Sequence, residues 1–194
     1  MLRKARKSDA EKLALIHLNE LSFDFLPSLG LVFLTQLYKD FINNKSVEVV
    51  VFIYRNKVCG FIVGSEDFNR VFKEIIFKNF FSYFYLISKK LIAKPFIIKN
   101  VFGTLFYTNK EGAGPASELV VIAISNKFHR KGIGRRLICE LEKKFKKKRI
   151  TKYKVSVNKK NNNAKLFYRS VGFIKVREFS LYGKQVNLLI KNII

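Results

Sequence analysis

A turn with two glycines, placed between a predicted strand and a predicted helix, is the part of this sequence best suited to chemistry. The turn runs from His129 to Arg136, and Gly132 and Gly134 flank one apolar residue within it. Glycines at such a junction let the backbone approach a ligand closely and let several N–H groups point at one spot. The following helix adds the positive end of its dipole, and basic side chains surround the turn. This combination suits a pyrophosphate, so we expect an enzyme that binds a phosphorylated cofactor.

Hydrophobic patterning predicts the elements that position this turn. An apolar run over 118–124 predicts the buried strand before it, and apolar residues at helical spacing predict a helix over 132–148. Further strands are predicted over 2–6, 47–54, 58–64, 153–157, 173–181 and 185–192. A capping box formed by Ser8 and Glu11 predicts the start of a first helix that continues to about Glu20, with His17 on its surface. Two further helices are predicted over 32–42 and 162–171.

The segment 66–115 has a different character from the rest, because aromatic residues and lysines crowd it. Helical spacing fits much of it, with a break expected at Pro95. Segments this long between strands usually carry structure or a function of their own. Three interpretations stay open: a helical lid over an acceptor pocket, a contact between two copies in a homodimer, or an amphipathic element on an anionic membrane. The lid fits best, because the segment leads directly into the strand at Glu118.

Composition limits the class of protein. We expect one domain over 1–194, with a substantial core, since 48% of the residues are apolar. The formal charge of +24 predicts attraction to polyanions without choosing among cofactor phosphates, nucleic acid and anionic lipid. Cys59 and Cys139 have no metal-ligand spacing, and neither a signal peptide nor a membrane span is expected. The sequence therefore predicts a cytoplasmic protein without a metal site.

A second motif, Asn161-Asn-Asn-Ala164-Lys-Leu-Phe167-Tyr168-Arg-Ser-Val-Gly-Phe173, follows the glycine turn at a distance of about thirty residues. With both motifs in this order, the sequence resembles the GNAT superfamily of acyl-CoA-dependent N-acyltransferases. The resemblance covers nearly the whole chain except 66–115. It implies an α/β (α+β) fold with a mixed, mostly antiparallel central sheet of about six or seven strands. Helices would flank this sheet, and a helical insertion would lie between the third and fourth strands.

The resemblance also implies a cosubstrate, acetyl-CoA, and the residues that bind it. The turn would cradle the pyrophosphate, although His129 stands where the family usually has Arg or Gln, and Arg130 stands where a glycine is common. The strand backbone would pair with the pantetheine arm, and the N–H near Ile122 would stabilise negative charge on the thioester oxygen. Asn161 would contact the arm. The implied cofactor-binding set is Ile122, Ala123, Ile124, His129, Arg130, Lys131, Gly132, Ile133, Gly134, Arg135, Asn161 and Ala164.

Two residues carry the implied catalysis. Tyr168 matches the family tyrosine that protonates the departing thiolate, while Phe167 is assigned to the core. Glu118 matches the general base of some members, and it could equally be a solvated acid at a strand end. Glu20 and Asp24 are weaker alternatives for the base.

The expected reaction is direct transfer of an acetyl group to a primary amine. The basic surface favours an anionic small-molecule acceptor, such as a nucleotide-linked amino sugar. A protein N-terminal or lysine acetyltransferase is the alternative within the same chemistry. A non-catalytic module that binds nucleic acid or an anionic membrane is the alternative of another class, and the motifs disfavour it.

Overall fold

Strands build the centre of the structure and helices cover its two sides. The structure, a computed structural model, describes residues 1–22, 25–93, 114–181 and 183–193. The strands are β1 (Leu2–Lys4), β2 (Val47–Tyr54), β3 (Lys57–Ser65), β4 (Glu118–Ile124), β5 (Lys152–Asn158), β6 (Ile174–Leu181) and β7 (Lys184–Asn192). The helices are α1 (Ala10–Glu20), α2 (Phe25–Ser28), α3 (Leu31–Asn43), α4 (Phe68–Lys78), α5 (Phe80–Ala93), α6 (Ile133–Lys147) and α7 (Asn162–Ser170), with 3-10 turns at Lys7–Asp9 and Asn126–Phe128.

The seven strands form one mixed sheet in the order β1-β2-β3-β4-β5-β7-β6. All neighbouring pairs are antiparallel except β4 and β5, which run parallel. The predicted fold class is therefore confirmed, and α4 and α5 form the described part of a helical insertion between β3 and β4. The expected break at Pro95 lies outside the described residues.

Two separate cores lie on the two faces of this sheet, because strand side chains alternate between the faces. One core is formed with α1, α3 and α4, and we refer to that side as the α1 face. The other is formed with α6 and α7, and we refer to that side as the α6 face. Close approach of α6 requires glycine beneath it: a Cβ on Gly64 would lie 2.5 Å from Leu141 and 2.7 Å from Phe145.

The N-terminal region differs from the sequence prediction at two residues. The expected Ser8–Glu11 capping box is absent from the described N-terminal segment, because Asp9 takes its place: its carboxylate accepts from the Arg6 N–H at 2.7 Å and binds the Arg3 guanidinium. His17 was expected on a helix surface and is buried between α1 and α3, with Nδ1 2.6 Å from the Tyr38 hydroxyl. Burial lowers the pKa of His17 to about 4, so the ring is neutral at pH 7.

The second helix of the insertion, α5, is anchored to α3 through a buried tyrosine. The Tyr83 hydroxyl of α5 donates to the Asp40 carboxylate of α3 at 2.5 Å, and its ring meets Phe33 edge-on at 5.1 Å. Within the described ranges, no helix combines the length and hydropathy that a membrane crossing requires.

Candidate active site

A β-bulge in β4 determines which side chains face each core. Val63 of β3 pairs with Val121 and Gly64 pairs with Leu119, which leaves Val120 as an extra residue between them. As a result Leu119 and Ile122, three positions apart, both reach the α6 face, whereas strict alternation would have separated them. The predicted cofactor strand thus presents Ile122 and Ile124 to the α6 face, while Val121 and Ala123 pack on the α1 face.

The sheet opens between β4 and β5. Within the described residues these strands share one register pair, Glu118 with Lys154, and next to it the Lys154 N–H donates to the Ser117 carbonyl at 3.0 Å. From Leu119 onwards β4 pairs along its length with β3 only. The β4 edge that faces β5 is therefore available to an extended ligand, in the way that a sheet edge accepts an added strand.

The glycine turn lies at the end of β4 and starts α6. Gly132 has φ +72°, a left-handed conformation that suits glycine, and a Cβ there would meet nothing within 4 Å. Arg130 also has positive φ, at 57°. Because Gly132 precedes the first helical residue and carries no side chain, the N–H groups of the first turn of α6 are left for a ligand.

The second glycine of the turn has a different role. A Cβ on Gly134 would lie 2.9 Å from Cζ of Phe167 and 3.5 Å from Cδ1 of Ile124. Gly134 is therefore required by the close packing of α7 against the start of α6. Phe167 is partly buried and packs against the core of the α6 face, in agreement with the packing role expected for it.

The basic residues of the turn are exposed, and several have partners away from the cradle. Arg135 donates to the Ser170 carbonyl at 3.3 Å, and the Arg136 guanidinium lies over the Phe52 ring at 5.1 Å. Lys131 lies over the Phe128 ring at 5.2 Å. These contacts keep the two arginines directed to the sides of the turn, so they do not fill the space in front of Gly132.

His129 connects the turn to β4 and to α1. Its Nε2 donates to the Ile124 carbonyl at 2.6 Å and lies 3.5 Å from a carboxylate oxygen of Glu20. The other oxygen of Glu20 accepts from the Asn126 N–H at 2.8 Å. Glu20, which the sequence offered as a weaker candidate base, is thus engaged in holding the turn. The other weak candidate, Asp24, lies outside the described residues.

The second motif forms α7 with the residue that caps its start, Asn161, and the turn after it up to Phe173. The side-chain oxygen of Asn161 accepts from the Ala164 N–H at 3.0 Å and caps α7, which leaves its amide nitrogen as the donor for a ligand. Ala164 packs against the α6-face core. Tyr168 is buried there, edge-on to Phe173 at 5.3 Å. Tyr168 also contributes, after burial and the Glu142 hydrogen bond, to a raised pKa of Tyr153, so these tyrosines are electrostatic neighbours.

Glu118 is on the opposite side of the sheet from Tyr168. Leu119 next to it belongs to the α6 face, so alternation directs Glu118 to the α1 face. Ser65 of β3 and Lys154 of β5 flank it in register, and all three side chains are buried. Glu118 is therefore buried, and it is not the solvated acid at a strand end that the sequence left open as an alternative. Lys154 was missed by sequence reasoning, because a lysine alternating with apolar residues in a strand is typical of a solvent-facing position.

An apolar wall continues this α1-side surface beyond Lys154. Phe179, Val186 and Leu188 of β6 and β7 form a small cluster of buried side chains. The chain enters β4 past this cluster, since a Cβ on Gly114 would lie 3.9 Å from Leu188, and Pro115 is buried. Within the described ranges, no group of His, Cys, Asp and Glu side chains is arranged to hold a metal ion.

Comparisons with known proteins agree with this geometry. The family model of the acetyltransferase (GNAT) domain matches residues 101–186. Among solved structures, an N-acetyltransferase from Staphylococcus aureus Mu50 is 18% identical with a TM-score of 0.64, covering 98% of this chain and 99% of that one. The PaiA N-acetyltransferase from Thermoplasma acidophilum, solved in complex with coenzyme A, is 15% identical with a TM-score of 0.58, covering 99% and 98%.

A third solved structure, the ribosomal-protein-S18-alanine N-acetyltransferase from Escherichia coli, is 12% identical with a TM-score of 0.62, covering 100% of this chain and 93% of that one. No curated protein matches the sequence. At these identities the solved structures show the fold alone. The family-model match over residues 101–186, together with the shared fold, supports an N-acetyltransferase of the GNAT type, a class of enzyme that uses acetyl-CoA.

Proposed function

We propose that this enzyme acetylates a primary amine carried by an anionic small molecule, such as a nucleotide-linked amino sugar. The observation that supports the proposal best is the opening between β4 and β5. Glu118 borders it on the α1 face, and Tyr168 lies in the core of the α6 face. An amine can then approach from one side of the sheet while the thiol departs towards the other.

The residues present fit a CoA thioester. The diphosphate would bind the first-turn N–H groups of α6 in front of Gly132, with Arg130 and Lys131 exposed beside it. Its pantetheine arm carries amides that suit the open β4 edge at Ile122 and Ile124, and the Asn161 amide nitrogen would donate to the same arm. When bound, the cosubstrate supplies an activated thioester carbonyl.

Each catalytic side chain has a defined task in this proposal. Glu118, directly or through water, takes the proton that an incoming ammonium must lose before its lone pair can attack the carbonyl carbon. The C–S bond breaks as the C–N bond forms, and the Tyr168 hydroxyl donates a proton to the departing sulfur. A backbone N–H near Ile122 stabilises negative charge on the carbonyl oxygen.

Charge supports the choice of an anionic acceptor. The chain has a formal net charge of +24, and Lys154 lies beside Glu118 on the acceptor side of the sheet. A surface of this sign attracts anionic substrates and repels polycationic ones. A protein N-terminal amine is the competing acceptor, because one structure of the same fold acts on ribosomal protein S18, and the test below includes it.

A panel of acceptors tests the proposal. Acetyl-CoA would be incubated with UDP-linked amino sugars, the corresponding uncharged amino sugars, polyamines and peptides with N-terminal alanine, with thiol release as the readout. We expect the nucleotide-linked amines to have the highest kcat/KM. A higher kcat/KM for the peptide would instead make a protein N-terminal amine the acceptor. Failure of every amine to release thiol would overturn the proposed activity.

Substitutions test the roles of the two side chains. Tyr168→Phe is expected to lower kcat about a hundredfold with little change in the KM for acetyl-CoA, because the ring still fills the core. Tyr153→Phe is the matched control, since it removes the neighbouring buried hydroxyl, and its kcat should stay near that of the wild type. Glu118→Gln should lower kcat at neutral pH, with partial recovery at higher pH. Equal losses in the two tyrosine variants would remove Tyr168 from the chemistry.

A further inference from the structure

The outer face of α5 is an exposed cluster of aromatic side chains, which we call the aromatic face. Phe80 and Phe84, one helical turn apart, stack at 5.8 Å between ring centroids, and Phe80 meets Phe81 edge-on at 5.7 Å. Phe81 is 85% exposed and Tyr85 is 63% exposed. Phe77 at the end of α4 is 70% exposed. Large apolar groups left in contact with water at this density mark an interaction surface.

This face is held in an outward orientation. Tyr83 and Leu86 occupy the other side of α5, where Tyr83 is anchored by Asp40 and Phe33 of α3. Residues at positions 80, 81, 84 and 85 fall on one arc of a helix, and 83 and 86 fall on the opposite arc. Because the inner arc is fixed to α3, the aromatic face of α5 points away from the core.

Basic residues predominate in the sequence that carries the aromatic face, although Glu74 of α4 is exposed one turn before Lys78. Residues 77–99 contain no Asp or Glu, and they contain Lys78, Lys89, Lys90, Lys94 and Lys99. The whole chain has a formal net charge of +24. Two copies of such a surface repel each other, whereas an anionic bilayer attracts it. Exposed aromatic side chains with a lysine beside them are the kind of group that enters a membrane interface.

We propose that the aromatic face docks this enzyme peripherally on an anionic lipid surface. Phe80, Phe81, Phe84 and Tyr85 enter the boundary between headgroups and acyl chains, with α5 lying parallel to the membrane plane. Lys78, exposed at the end of α4, contacts the headgroup phosphates. Apolar insertion and electrostatic attraction each contribute only a marginal binding free energy, so stable docking requires both.

Co-sedimentation of the full chain with sucrose-loaded vesicles tests the docking. The vesicles contain phosphatidylcholine alone or phosphatidylcholine and phosphatidylglycerol in equal amounts. The wild type should pellet with the anionic vesicles only. The Phe81→Ser/Phe84→Ser double variant should lose about tenfold or more in partition coefficient, and Lys78→Gln should lose about fivefold.

The chain offers a matched control for the loss of exposed apolar side chains. Ile174 and Val176 of β6 are 70% and 55% exposed and lie far along the sheet from α5. The Ile174→Ser/Val176→Ser double variant should bind anionic vesicles as the wild type does. Equal losses in both double variants, equal binding to the neutral vesicles, or no binding to either vesicle would overturn the docking proposal.

Two further measurements separate docking from the other uses of such a face. Sedimentation velocity without lipid should give the same mass for the wild type and for Phe81→Ser/Phe84→Ser, and a wild-type dimer that this variant dissociates would instead assign the face to a second copy. Amine KM without vesicles should also be the same in both, and a raised KM in the variant would instead assign α5 to a lid. Either result would overturn the proposal, and the vesicle and sedimentation measurements do not depend on the acceptor named above.

Discussion

At the scale of single residues, the packing between Gly134 and Phe167 decides how α7 is seated on α6. The glycine leaves room for a phenyl ring whose Cζ would be 2.9 Å from a Cβ. Gly134→Ala should therefore lower the free energy of unfolding by about 1–3 kcal/mol, the range for overpacking a well-packed site. Urea denaturation followed by circular dichroism measures this change.

The double variant Gly134→Ala/Phe167→Leu is the test of that cause. Leucine removes the ring atoms that the alanine methyl group would meet. The double variant should therefore lose less free energy of unfolding than the sum of the losses in the two single variants. Additive costs would mean that the alanine methyl group is accommodated by movement elsewhere. Acetyl-CoA affinity should change less in Gly134→Ala than in Gly132→Ala, because Gly132 has the left-handed conformation at the cradle and Gly134 does not.

His17 shows why some single residues could not be placed from the sequence. His17 is a polar residue among the apolar residues of α1, and a polar residue in a helix is usually exposed to solvent. The structure buries it because Tyr38, two helices further along the chain, supplies a hydrogen-bond partner at 2.6 Å. A local pattern does not contain that partner. The burial of Lys154 could not be predicted for the same reason, because its neighbour Glu118 is 36 positions away in sequence and adjacent to it in the sheet.

At the scale of elements, α1 and the turn before α6 form one unit through Glu20. Its carboxylate accepts from the Asn126 N–H and pairs with His129, which also donates to β4 at Ile124. Glu20→Ala should release the turn and weaken acetyl-CoA binding about three- to tenfold, the size expected for one or two charge-assisted hydrogen bonds that position a loop. Isothermal titration calorimetry measures the affinity, and Glu11→Ala on the exposed start of α1 is the control.

The same variant distinguishes positioning from catalysis. If Glu20 only positions the turn, kcat at saturating acetyl-CoA stays near that of the wild type and the pH profile keeps its shape. A large loss of kcat with unchanged affinity would instead make Glu20 the general base and would remove that role from Glu118.

Elements that carry their own pattern were predictable, and contacts that join distant elements were not. β4 and α6 follow from an apolar run and from helical spacing, and they lie where the sequence predicted them. The turn between β2 and β3 follows from the break at Arg55 and Asn56, which take positive φ of 46° and 58°. The bulge at Val120 and the single register pair between β4 and β5 have no local signature, because they arise from how three strands pair.

At the scale of the whole molecule, one sign of charge serves two purposes. The net +24 is far larger than solubility requires, and it favours both an anionic lipid surface and an anionic acceptor. The aromatic face of α5 and the α1 side of the β4–β5 opening are formed by different residues. Substitutions in the aromatic face can therefore be tested for lipid binding without replacing any residue of the β4–β5 opening.

Salt dependence of the reaction tests the electrostatic part of acceptor recognition. Raising ionic strength from about 0.01 M to 0.15 M shortens the screening length from about 30 Å to about 8 Å. With acetyl-CoA kept saturating, kcat/KM for a nucleotide-linked amino sugar should fall about three- to tenfold over this range. The uncharged amino sugar should change little, because it gains nothing from the long-range field. Equal falls for the two acceptors would place the salt effect in the protein or in acetyl-CoA, and the basic surface would then have no part in choosing the amine.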